Sequence, residues 1–277
     1  MLKDRVLTAI ILVAGFLLSL FVLPQWAWLV LVALVVAVAA WEWGGLIGLD
    51  ENPRFGLSVA VSCVVALLGA GLGLADSSFD SVRGGWLYFI YALSTLFWLA
   101  FVPLWFRGGW SMPAKGSSML LGFVVLVPAA LALAHLRLFS VWVLLVGLSL
   151  IWVADIAAYF SGRAYGRTKL APSISPGKTR EGAVGAGLAV CVTGCLLYAV
   201  LAESSPGVFA SIGLVIALVV FTAVSIVGDL FESLVKRKAG VKDSGNLLPG
   251  HGGVLDRIDS VTSALPLFAL VVLAFMR

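Results

Sequence analysis

The chain has 277 residues, of which 61% are hydrophobic and only 12% charged, against about a quarter charged in soluble domains. With a mean hydropathy of +1.10, this excludes a soluble globular fold. The net charge of +4 is too small and too scattered to argue for nucleic-acid binding, and Cys63, Cys191 and Cys195 all lie inside apolar runs, which excludes a disulfide framework or a metal-thiolate spacing.

In chain order, apolar runs broken at Pro, Gly and charge clusters predict nine membrane-spanning helices. They lie near 5–23, 26–48, 56–75, 86–106, 117–135, 139–160, 183–202, 207–230 and 259–276. The opening "MLKDRVLTAIILVAGFLLSLFVL" has the charged prefix of a signal peptide. Its apolar core from Val6 to Leu23 is longer than the ~7–15 residues of such a segment, so it reads as a retained first helix. Clear breaks follow at "LDENPRFG", "ADSSFDSVRGG" and "RGGWSMPAKGSS", and the least distinct is "AHLRLF" at 134–139. The fold class is therefore all-α, a polytopic integral membrane protein. Residues 1–110 read as scaffold, and 111–277 as the catalytic region with loaded loops at 161–182 and 231–258.

If the N-terminus is cytoplasmic, every Lys and Arg except Arg83, Arg137 and Arg277 falls on the cytoplasmic side. This positive-inside bias fixes the expected orientation and checks the helix count, because one span too many would scramble it. Acids inside spans are the next signal, since a charge at the bilayer centre costs about 2.5–3.5 kcal/mol. Glu42 ("AAWEWGG"), Asp155 ("LIWVADIAAYF") and Asp229 ("SIVGDLFES") qualify, and all lie near expected cytoplasmic helix ends. Glu42 by itself reads as an interfacial residue reaching head groups or a nearby Lys or Arg. Helical spacing puts Asp229, Ser233 and Lys236 on one face, Asp155 and Tyr159 on another, and Asp256 with Asp259 on a third. Three helices can so aim carboxylates at one point, as a hard cation such as Mg²⁺ requires.

Two connectors carry the remaining charge. The first, "SGRAYGRTKLAPSISPGKTREG" (161–182), sets basic residues among hydroxyls and glycines, with Pro172 and Pro176 fixing the backbone. That composition suits phosphate oxygens, with a helix N-terminus after Thr179 pointing the same way; contact with anionic lipid heads is an equal reading. No G-x-x-x-x-G-K-[ST] pattern is present, so it is not a P-loop. The second, "SLVKRKAGVKDSGNLLPGHGGVLDRID" (233–259), adds Asp243, His251, Asp256, Arg257 and Asp259 to its lysines. Carboxylates beside cations and flexible glycines suit a metal-bridged polyphosphate. His251 is open between proton relay, phosphate donor and structural residue.

The second connector, with "WVADIAAYFSGRAYGRTKLAPSISPGKTREG" at 152–182, resembles the signature regions of the phosphatidate cytidylyltransferase (CDP-diacylglycerol synthase) family. The resemblance implies Mg²⁺-dependent transfer of cytidylate from CTP to phosphatidate, giving CDP-diacylglycerol and pyrophosphate for phospholipid synthesis. It further implies a homodimer; the compact length and the charge bias fit a bacterial inner membrane, with an organelle membrane as the alternative, and the Lys and Arg sorting puts the active site on the cytoplasmic face. On this reading Asp229 and Asp256 are metal ligands, with Asp259 and then Asp243 as further choices, and a second cation has room. Lys236, Arg237, Lys242 and Arg257 hold the triphosphate, with His251 beside them. Arg163, Lys169, Ser173, Ser175 and Lys178 hold phosphatidate or share the nucleotide, Asp155 and Tyr159 brace the 161–182 loop or coordinate a cation, and Ser233 is a further binding residue. The rival readings are a CTP-dependent polyprenol or lipid kinase, and a transporter or flippase of an anionic lipid or solute. Pro103, Pro128 and Pro266 within spans favour the transporter slightly; the gathering of acids at one end weighs against a midplane site.

Overall fold

The computed structural model describes residues 2–76, 80–201, 207–248 and 250–275; Arg277, assigned above to the far side, lies outside them, as does Pro249 of the "PGHGG" stretch. Among the described residues the chain forms nine helical spans and one small hairpin. The helices are α1 (Leu2–Val22), α2 (Gln25–Leu46), α3 (Glu51–Gly71), α4 (Ser81–Leu96, continued through Phe97–Phe101 and Val102–Gly108), α5 (Lys115–Phe139), α6 (Val141–Tyr165), α7 (Arg180–Leu201), α8 (Val208–Lys238) and α9 (Leu255–Phe275). Eight are long and apolar enough to cross a membrane; in α1 the apolar stretch is the shorter Thr8–Val22. The protein is an all-α polytopic membrane protein, as the composition predicts.

Burial separates an inner set of helices from a wrapping set. The apolar windows of α5, α2 and α9 are 72%, 56% and 56% buried, whereas those of α3 and α7 are 22% and 17% buried. A helix apolar on every side is at home in the interior of a bundle or in lipid, so these differences mark α2, α5 and α9 as the core. α9 packs on α4, α5 and α8, and α7 lies between α6 and α8.

Three local features bear on function. The stretch "RTKLAPSISPGKT", read above as part of a connector, is an antiparallel hairpin of β1 (Lys169–Ala171) and β2 (Ser175–Thr179). Its turn closes through the Ile174 N–H on Ala171 O at 3.1 Å, with Pro172 at the second turn position that its fixed φ favours. A two-stranded hairpin is all edge, so Pro176 is tolerated in β2. Second, α8 runs to Lys238 and α9 starts at Leu255, which shortens the expected 231–258 loop. The apolar run ends where charge begins, but Lys, Arg and Glu are good helix formers, and Lys236, Arg237 and Lys238 in the last turn complement the helix dipole. Third, α4 contains a single π-helical turn, Phe97–Phe101. It places Trp98 against Phe231, with ring centroids 5.5 Å apart, while Trp105 and Trp43 close around the same ring at 5.7 and 6.4 Å. Phe231 lies between Asp229 and Glu232, so this cage fixes the acid-bearing turn of α8.

At the α1–α2 turn, Arg137 Nε donates to Leu20 O at 3.0 Å and Nη1 to Gln25 Oε1 at 2.7 Å; Nη2 donates to Leu23 O. Gln25 Nε2 in turn donates to Ala134 O at 2.9 Å. A guanidinium here satisfies the last carbonyls of α1, which no local donor reaches. Hydrogen bonds from an ionised donor are each worth about 1.5–3 kcal/mol. Arg137→Met therefore lowers the thermal midpoint by at least about 5 °C. Ligand binding at the other end of α2, about 25 Å away, stays as it was; paired melting and binding curves on the purified variant check both halves.

Candidate functional site

The C-terminal ends of α2, α6 and α8 meet the N-terminal ends of α7 and α9, and the hairpin covers the junction. A nearly dry ion-pair triad there centres on Lys236. Its Nζ lies 2.7 Å from Asp256 Oδ1 and 2.9 Å from Glu232 Oε1, with side-chain exposures of 11%, 5% and 5%. Asp256 uses its other oxygen on the backbone: Oδ2 accepts from Ser244 N–H at 2.9 Å and Gly253 N–H at 2.8 Å. The glycines of the connector make this approach possible. Gly252 has φ +80°, and a Cβ there would stand 2.7 Å from Asp256 Oδ2, so both backbone and space require glycine.

Beside this triad is a cavity of about 480 Å³ between α6, the hairpin, the start of α7, and α8. Asp155, Tyr159, Arg163, Ser175, Lys178 and Asp229 supply its polar lining, and Ala154, Ala158 and Ile226 an apolar wall. Lys178 is ion-paired with Asp229, each side chain 27% exposed. Ser233 Oγ donates to Asp229 Oδ1 at 3.4 Å, and Arg163 Nη1 to Tyr159 Oη at 3.1 Å. Thr179 caps α7 by accepting Gly182 N–H on Oγ1 at 3.1 Å, at the helix start the sequence predicts, and so sets the hairpin against it. Glu181 carries the brace further: its carboxylate accepts Thr168 N–H at 3.1 Å.

The two groups are continuous. Asp259, half-buried with Oδ1 accepting Ser260 N–H at 2.6 Å, lies within electrostatic reach of Asp229, Asp155 and Lys236. Glu232 feels Asp259, Lys236 and Asp256 in the same way. Asp155, Asp229, Asp259, Glu232 and Asp256 thus form a string of five carboxylates crossing α6, α8 and α9, with Lys178 and Lys236 as the ammonium groups within it. Among the described residues no three His, Cys, Asp or Glu side chains stand in a metal-holding arrangement as the protein lies. Lys178 pairs with Asp229, and Lys236 with Glu232 and Asp256.

The other residues expected at the site do not line the cavity. Lys169, Ser173, Arg237, Lys242, Asp243 and Arg257 are exposed, and His251 is half-buried. Arg237 Nη1 donates to Val241 O at 3.2 Å, tying the end of α8 to the connector. Asp243 lies beside Gly252 and so beside Asp256: a Cβ at Gly252 would be 3.5 Å from that of Asp243.

Two acids matter more than the sequence reading allows. Glu232 is 4% exposed and shares the Asp229–Lys236 face at spacings of three and four, a signal visible in the sequence. Glu42 reads above as an interfacial residue or the partner of a basic side chain; the structure corrects this. It is 3% exposed, and its carboxylate turns inward to accept Val254 N–H, Leu255 N–H and Ser244 Oγ–H at 3.0, 2.7 and 3.1 Å. The only local signal is an acid between two tryptophans in an otherwise apolar span.

Eight helices of membrane-crossing length define a polytopic integral membrane protein, with a cavity that is apolar on one wall and ion-paired on the other. More narrowly, the chain belongs to the cytidylyltransferase family, whose model matches residues 3–275. It is 41% identical over 282 residues to the phosphatidate cytidylyltransferase of Pseudomonas aeruginosa, covering 99% of this chain and 98% of that one. Identity to the Haemophilus influenzae phosphatidate cytidylyltransferase is 34% over 281 residues, 97% of this chain and 98% of that one. A Brucella melitensis phosphatidate cytidylyltransferase matches at 52% over 122 residues, 44% of this chain and 43% of that one.

The two lysines differ in what their removal leaves behind. Lys236→Met strands two nearly dry carboxylates, a loss of about 3–5 kcal/mol for a broken buried pair. Lys178→Met strands one carboxylate already in contact with solvent, where a pair is worth about 0–1 kcal/mol. Melting of the two variants in the same detergent is expected to show a large fall for Lys236→Met and a small one for Lys178→Met; equal falls contradict this division.

Proposed function

We propose that the protein transfers cytidylate from CTP to phosphatidate, releasing pyrophosphate and leaving CDP-diacylglycerol in the membrane. The observation that carries this reading is the half-exposed Lys178–Asp229 pair inside a cavity with one apolar and one cationic wall. A lipid phosphate needs both: an ammonium for its head and apolar surface for the start of its chains. Near-complete alignment with relatives bearing this name supports it.

The residues fit a hard divalent cation by donor type and charge: all are carboxylates, and five of them outnumber two ammonium groups. Asp229 and Asp259 would hold Mg²⁺, with Asp155 or Asp256 completing the set. When bound, the ion would neutralise developing charge on the transferring phosphoryl group. The chain's own groups do the rest by positioning. Lys178 and Arg163 would orient the phosphatidate head, and Ser175 would add a hydroxyl. Lys236, with the exposed Arg237, Lys242 and Arg257, would hold the triphosphate and stabilise the leaving pyrophosphate. The phosphatidate oxygen attacks the α-phosphorus as the bond from that phosphorus to the bridging oxygen breaks. A phosphate monoester is largely dianionic at neutral pH, its second pKa being about 6, so no protein base is needed and His251 is not assigned one. Approach and in-line alignment supply the main rate gain.

We place the site on the cytoplasmic side of a bacterial inner membrane, because the Lys and Arg of the chain sort to that end and CTP is a soluble polyanion. Purified protein with phosphatidate, Mg²⁺ and CTP labelled at either the α- or the γ-phosphate tests the reaction. The α-label is expected in the lipid and the γ-label in pyrophosphate, with turnover abolished by EDTA. A γ-label in the lipid with release of CDP would show a lipid kinase, and intact CTP would leave the transporter reading.

A further inference from the structure

Glu42 plays no part in the reaction as written, yet its side chain grips the connector that carries Asp256. It reaches that connector across 202 to 213 residues of sequence. Leu255 opens α9, so two of its three donors are N–H groups at a helix start, where a carboxylate is favoured by the dipole as well as by the hydrogen bonds. Two glycines of the connector back directly onto it. A Cβ on Gly245 would stand 2.6 Å from Glu42 Oε1, and one on Gly253 2.5 Å from Oε2. Ser244 is held from both sides, its hydroxyl by Glu42 and its N–H by Asp256. Gly253 is wedged between the same two carboxylates, touching Glu42 and donating its N–H to Asp256.

We infer that Glu42 is a positioning residue: from α2, in the part of the chain read as scaffold, it holds the 244–255 turn in the shape that fixes Asp256 and, through it, Lys236. The inference rests on the proposed role of Lys236 and Asp256 in handling Mg–CTP. It deepens that role by making the nucleotide half of the site depend on an N-terminal helix. Among the described residues no hydrogen bond or ion pair joins Glu42 to the phosphatidate half, built by α6, the hairpin and α8; its partners are Ser244, Val254 and Leu255. Loosening the turn therefore affects one substrate and spares the other, which a general loss of folded protein cannot do.

The test is Glu42→Gln, which keeps the shape but replaces one acceptor oxygen with a donor facing other donors. Expected is a fall of about 10–100-fold in kcat/KM for Mg–CTP, the usual range for a group that orients a ligand-binding side chain, including a raised KM for Mg–CTP. The KM for phosphatidate stays as in the parent. A fall confined to kcat with both KM values unchanged, as a smaller folded fraction gives, overturns the inference, and so do parental CTP kinetics. Gly245→Ala presses on the same carboxylate from the connector side and leaves α2 intact. It is expected to give the same split, and it decides the matter if Glu42→Gln does not fold. Amide exchange at Val254 and Leu255 is a separate arm: faster exchange in Glu42→Gln supports the positioning role and unchanged exchange overturns it. A parent protein that does not turn over CTP counts against the proposed reaction, and the exchange arm then decides the role of Glu42 alone.

Discussion

Six carboxylates gathered at one end of an apolar bundle repel one another and lose water together. Such a cluster needs donors or cations brought to it by the fold. That requirement organises this protein. Glu42 is met by the start of α9 and the hydroxyl of Ser244. Asp256 is met by two connector N–H groups and Lys236, Glu232 by the same lysine, and Asp229 by Lys178. The inner helices, the aromatic cage on Phe231 and the hairpin are the means by which these donors arrive.

The ion pairs divide by burial. The Lys236 triad is nearly dry and its geometry is shared with the backbone of the connector, so breaking it unmakes the turn. The Lys178–Asp229 pair is more exposed and tied to a cavity. An exposed pair is worth little, and a phosphate for the lysine together with a cation for the aspartate would replace it at small cost. On this reading the resting protein holds its own ammonium group where ligands later supply the charges.

What could be read from the sequence follows from what sets each feature. The spans are dictated by the solvent, so apolar runs alone reveal them; the least distinct break, expected at 134–139, falls at Ser140, between Phe139 of α5 and Val141 of α6. Same-face relations within one helix were equally legible, as in Asp229 with Ser233 and Asp155 with Tyr159. Helix ends at 230 and 259 were misjudged because charge was taken as a boundary, although the last turns of α8 are stabilised by it. The hairpin leaves little trace in the sequence, because its strands are three and five residues long, too short for a period-2 pattern to show. Glu42 was out of reach for a deeper reason: its partners lie more than two hundred residues away, and no local period encodes a contact of that separation.

The direct test of the central claim, that this acidic string serves a divalent cation and a triphosphate together, is Mn²⁺ binding followed by electron paramagnetic resonance on the purified protein. The parent should bind Mn²⁺ more tightly when CTP is present, and the Asp229→Asn/Asp259→Asn double variant should lose the CTP-dependent signal while remaining folded. A folded double variant that binds Mn²⁺ and CTP as the parent does would contradict the account.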